Sequence, residues 1–74
     1  MTTQETFKLA NEITEKQALN IVSEWENNND SKSIETYTIL RRLGDSVQLA
    51  CAMTIAEKEN DKGCSEMYRI AYAS

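Results

Sequence analysis

Ala18, Ile21, Val22 and Trp25 recur at three- and four-residue spacing, with Glu15, Lys16, Glu24 and Glu26 on the intervening positions. This is the pattern of one apolar stripe along a helix. Just ahead of it, Thr14 and Gln17 have the spacing of a capping box, and Ile13 and Ala18 that of a weak hydrophobic staple, so the helix is predicted to start near Glu15. Residues 27–33, NNNDSKS, contain no apolar side chain and are rich in groups that bond to nearby backbone, which predicts that the helix ends within them. Asp30, Ser31 or Ser33 can cap a second helix whose apolar positions are Ile34, Tyr37, Leu40 and Leu43, with Ile39 widening the face. Gly44 follows where a left-handed C-terminal cap belongs, and Asp45 with Gln48 has the spacing of another capping box.

From Asp45 to Asn60 two periods compete. Val47, Ala50, Cys51, Thr54 and Ile55 form a helical stripe, whereas Val47, Leu49, Cys51, Met53 and Ile55 alternate as in a strand. The strand's opposite face would carry Ala50, Ala52 and Ala56, poor strand residues and the best helix formers, so a helix is favoured. With Leu49, Ala52, Met53 and Ala56 it is apolar around most of its circumference, which makes it either the middle of a bundle or half of a dimer seam. Residues 59–63, ENDKG, read as a charged turn, and Ser65 can cap a last short helix bearing Met67, Ile70 and Ala71 beneath Tyr68 and Tyr72. Residues 1–12 offer only Phe7, Leu9 and Ala10 to a core and are read as a flexible start that docks through Phe7 and Leu9.

The predicted architecture is a single all-α domain spanning residues 1–74, a bundle of three to four short helices. The alternative is α+β: one helix on a three-stranded antiparallel meander of residues 34–43, 46–57 and 65–73, in which Tyr68, Ile70 and Tyr72 alternate.

Composition narrows the function classes. The 74 residues include no His, which removes the commonest general acid/base and the commonest metal ligand, and with them His-bearing triads and zinc sites. Eight Lys and Arg against 12 Asp and Glu give a charge of -4, which argues against phosphate neutralisation and for a basic target. A chain of this size buries about 60–65% of its unfolded surface, a small core that association would help. Two cysteines are too few for a disulfide scaffold, and the opening segment lacks the basic and apolar regions of a secretory leader, so a cytoplasmic location is expected. The longest nearly apolar stretch, Val47 to Ala56, is far short of the roughly 20 residues a membrane span needs.

Candidate chemistry is sparse. Cys51 falls on the apolar stripe as a small hydrophobe, and Cys64 lies in a turn with no His to activate it. Residues 57–66 only partly imitate a calcium loop, and neither Gly44 nor Gly63 lies in a phosphate-loop context. No catalytic, metal or cofactor site is therefore assigned. Arg41 and Arg42 complement the end of the second helix, although with Gly44 and the following helix they also outline a helix-turn-helix whose second helix lacks a base before Lys58.

Surface recognition remains. The expected function is a non-catalytic acidic module that binds a protein with a basic face, as an inhibitor or modulator. Trp25, Tyr68 and Tyr72 are the candidate contact residues, and Glu24, Glu26, Glu57 and Glu59 the candidate complementary charges. Val47, Leu49, Met53 and Ala56 are the candidate homodimer seam. The alternative is a small dimeric DNA-binding regulator built on the helix-turn-helix outline.

Overall fold

The computed structural model describes residues 2–59, which form four helices: α1 (Thr3–Glu12), α2 (Glu15–Asn27), α3 (Ser31–Arg42) and α4 (Val47–Lys58). The all-α expectation holds for these residues. The meander does not, because two of its three segments, 34–43 and 46–57, lie almost wholly within α3 and α4; its third, residues 65–73, lies outside the described residues, as does the predicted last helix.

Each helix starts on a side-chain cap that satisfies backbone N–H groups left without intrahelical partners. In α2 the Gln17 amide donates to Thr14 Oγ1 at 3.0 Å and the Thr14 amide donates to Gln17 Oε1 at 2.8 Å, completing the predicted box. The same device opens α1: the Glu5 amide donates to Thr2 Oγ1 at 3.1 Å and the Thr2 amide to Glu5 Oε1 at 3.4 Å. No helix had been expected before Ile13. The α4 cap differs by one residue from expectation: Ser46, not Asp45, accepts the Leu49 amide, at 3.1 Å.

Two of the turns share one construction. After α2, Asn29 adopts φ 56, its amide donates to the Glu26 carbonyl, and the Asp30 amide donates to the Trp25 carbonyl. After α3, Gly44 adopts φ +102, its amide donates to Arg41 and the Asp45 amide to Leu40. Both are Schellman closures, which need a left-handed residue and therefore favour Gly or Asn. They turn the chain sharply enough for α2, α3 and α4 to pack on one another.

α4 is the centre. It packs against α1, α2 and α3, and Ala50, Cys51, Ala52, Met53, Thr54 and Ala56 are all buried. Its alanines let neighbouring backbones approach closely, and Thr54 meets burial by donating its hydroxyl to the Ala50 carbonyl at 2.7 Å. On one side Cys51 joins Ala18, Val22 and Trp25; on another Ala50 and Met53 join Leu40. α3 turns Ser33, Thr36 and Leu40 inward, whereas Ile39, expected to widen the core face, is 37% exposed.

Asp45 is an exception to the rule that buried polar groups are paired: it is 2% exposed and neither carboxylate oxygen has a hydrogen-bond partner. Two sources of positive potential are close in the chain. Asp45 immediately precedes the N-cap of α4, where the helix dipole favours negative charge, and Arg41 Nη1 donates to the Asp45 carbonyl at 2.6 Å.

A Cβ added at Gly44 would meet nothing within 4 Å, so the requirement there is conformational. Gly44→Ala is expected to keep the fold but lower its stability by about 1–2 kcal/mol in urea denaturation. Asn29→Gly, which relieves the other left-handed position, should change stability by less than about 0.5 kcal/mol.

Candidate functional site

Asp30 organises one end of the molecule. As the cap of α3 it accepts the Ser33 amide on Oδ1 at 3.3 Å and the Ser33 hydroxyl on Oδ2 at 2.8 Å. The same Oδ2 accepts Lys58 Nζ at 2.6 Å, a contact spanning 28 residues. Because Lys58 is the last residue of α4, this ion pair fixes the C-terminal end of α4 beside the α2–α3 turn. It brings Glu57 and Glu59 to the same end as Glu24 and Glu26 in the last turn of α2.

Helix polarity at that end is mixed. The C-termini of α2 and α4 meet there and contribute negative partial charge, while the N-terminus of α3, capped by Asp30, contributes positive partial charge. α2 has no basic residue in its last turn, and the basic residue in the last turn of α4, Lys58, is engaged by Asp30. Glu24, Glu26 and Glu59 are exposed and Glu57 is half-buried. Arg41 and Arg42 are exposed at the opposite end of α3, about 18 Å along a 12-residue helix.

Of the predicted contact residues, Trp25 belongs to the core instead. It is 5% exposed and meets Tyr37 edge-on, with ring centroids 6.3 Å apart and planes at 63°. Its position seven residues after Ala18 and three after Val22 places it on the stripe facing Cys51, which leaves Glu24 and Glu26 outside on either side. Tyr68, Tyr72 and Cys64 lie outside the described residues. The candidate seam is used within one chain: Met53 and Ala56 are 0% exposed, Val47 packs against the Trp25 cluster, and Leu49 packs against the Leu40 cluster.

Beside the acidic end, Lys32, Glu35, Thr36 and Ile39 of α3 and Glu57 of α4 line a groove of about 160 Å³. Sequence reasoning assigned Ile39 to the core and missed this feature. The available signal was the spacing of Lys32, Glu35 and Ile39, three and four residues apart on one outward stripe.

Cys51 is a packing residue. Its Sγ lies 3.8 Å from the Ala18 carbonyl oxygen, and burial pushes its thiol up from 9.0 to about 11. Among the described residues, no group of three or more His, Cys, Asp or Glu is arranged to hold a metal ion, and no helix is long and apolar enough to cross a membrane.

Two titrations follow. The Lys58 ammonium, and after it the Ser33 hydroxyl, holds the Asp30 carboxyl below its ordinary 3.8. The resulting stability is complete above that value and lost as pH falls through the lowered one. Asn caps as well as Asp, so Asp30→Asn removes mainly the charge. Urea midpoints of wild type and Asp30→Asn should differ at neutral pH and converge in strong acid; a difference independent of pH would contradict the ion-pair assignment. For Cys51, the unfolded thiol ionises near 9.0 while the folded one holds its proton to about 11, so stability should fall as pH rises through that interval. Iodoacetamide at pH 8, read by peptide mass mapping, should label Cys51 slowly in the native protein and rapidly in urea.

No protein-family model, curated protein or solved structure matches this chain, so its function is argued from its own residues.

Proposed function

We propose that this chain is a non-catalytic interaction module that presents an acidic end to a basic surface on a larger protein, and inhibits or modulates that protein by covering the surface. The observation that carries this reading is the convergence of Glu24, Glu26, Glu57 and Glu59 at two helix C-termini, where carboxylates are electrostatically disfavoured. Such a departure from the stability optimum is expected where charge serves recognition. The overall charge of -4 adds steering toward a basic partner.

The competing DNA-binding reading needs α4 to enter a groove. α4 is instead packed by three helices, and its first turn carries Val47, Gln48 and Leu49, with no base. Self-association through Val47, Leu49, Met53 and Ala56 is not part of the proposal, because those side chains already serve the core of one chain.

The test uses a nona-lysine peptide and isothermal titration at low and physiological salt. Reversing Glu24, Glu26 and Glu59 to Lys together should weaken binding about tenfold or more. Reversing the exposed Glu12 and Glu15, which flank the opposite end of α2, should have the smaller effect. Equal losses in the two variants would contradict a localised site. Duplex DNA bound at low salt and released by Arg41→Ala with Arg42→Ala would overturn the proposal in favour of the regulator.

A further inference from the structure

Two corners of this fold are built alike, yet the aspartate that follows each is held in a different way. At the α2–α3 corner Asn29 takes the left-handed position and the Asp30 amide closes on the Trp25 carbonyl; at the α3–α4 corner Gly44 takes it and the Asp45 amide closes on the Leu40 carbonyl. The Asp30 carboxylate then accepts the Ser33 amide, the Ser33 hydroxyl and Lys58 Nζ. The Asp45 carboxylate is the more buried of the two, and among the described residues it accepts nothing.

One residue of register makes the difference. Asp30 is itself the N-cap of α3, so its side chain reaches the free amides of the first turn, whereas Ser46 caps α4 and Asp45 stands one position too early to do so. A buried carboxylate without donors costs free energy that is recovered when it reaches water. The dipole of α4 offsets only part of that cost, because it supplies potential without a hydrogen bond.

Arg41 holds this corner shut. From the last turn of α3 its Nη1 reaches past Gly44 and donates to the Asp45 carbonyl at 2.6 Å. A guanidinium carries five donors, so on opening it can pass from the carbonyl to the carboxylate of the same residue. Opening then gives up the bond from the Leu49 amide to Ser46 Oγ and the packing of Val47 and Leu49, while the wholly buried Ala50, Cys51, Ala52 and Met53 stay in place.

We propose that the α3–α4 corner is an opening point built into the fold, driven by the buried Asp45 carboxylate, hinged at Gly44 and strapped by Arg41, where α3 and the first turn of α4 part before the domain unfolds. The α2–α3 corner, latched by Ser33 and Lys58, stays closed.

Native-state hydrogen exchange on the full chain, read by NMR across low urea concentrations, compares the Gly44, Asp45 and Leu49 amides with those of Asn29 and Asp30. After correction for intrinsic rates the first group should exchange about tenfold faster or more, with little dependence on urea. Asp45→Asn keeps the shape and removes the charge; it should slow exchange at this corner about fivefold and raise the urea midpoint, although substitutions at buried positions ordinarily lower it. Arg41→Ala should speed exchange at this corner about fivefold and leave Asn29 and Asp30 unchanged. Arg42→Ala removes the same charge one residue on and should leave both corners near wild type.

Equal protection of the two corners would overturn the proposal. So would an Asp45→Asn variant with faster exchange at the corner and a lower urea midpoint, because the carboxylate would then be holding the corner closed. Equal effects of Arg41→Ala and Arg42→Ala would overturn the strap by reducing it to a general effect of charge.

Discussion

Ala50, Cys51, Ala52 and Ala56 are four small side chains on α4, all wholly buried, and the other three described helices are arranged around the surface they create. Small residues matter here because helix separation depends on the side chains at the contact. The larger apolar groups come mostly from around this helix: Val22 and Trp25 from α2, Leu40 from α3, and Met53 from α4 itself. A chain of this size has few such groups, so the core depends on close approach as well as on bulk. The same burial raises the Cys51 thiol and makes that residue part of the packing.

Folding α4 into the centre also determines which charges reach the surface together. The Schellman turns at Asn29 and Gly44 return the chain so that the end of α4 meets the start of α3, and Lys58 closes that approach on Asp30. The carboxylates of α2 and α4 then share one end, while Arg41 and Arg42 occupy the far end of α3. The acidic end is thus a product of topology: Glu24 and Glu59 are 35 residues apart in the sequence, and their helix ends come to one end of the molecule because the turns and the Lys58–Asp30 ion pair bring them there.

Much of this was legible in the sequence. The stripe from Ala18 to Trp25 and the Thr14–Gln17 box identified α2, Gly44 identified the corner, and the alanines of α4 decided helix over strand. Three features were less accessible. α1 has a capping box at Thr2 and Glu5, yet among its described side chains the buried one is Thr6, a polar residue whose hydroxyl donates to the Thr2 carbonyl at 2.9 Å, so apolar periodicity gave little signal. α3 buries Ser33 and Thr36 while exposing Ile39; Ser33 is accommodated because Asp30 accepts its hydroxyl, a pairing visible only in the folded chain. Trp25 reads as core from its place on the stripe with Ala18 and Val22 and as contact from its residue type, and its packing against Cys51 and Tyr37 puts it inside. The acidic residues themselves were readable, but their convergence required knowing which helix ends meet.

Native-state hydrogen exchange tests the central claim that α4 is consumed by the fold of a single chain. Amides from Ala50 to Ala56 should be the slowest to exchange, should open with the free energy of global unfolding, and should be protected equally at low and high protein concentration. Faster exchange there than in α2 or α3, or protection that grows with concentration, would contradict the account by making α4 peripheral or part of an interface between copies.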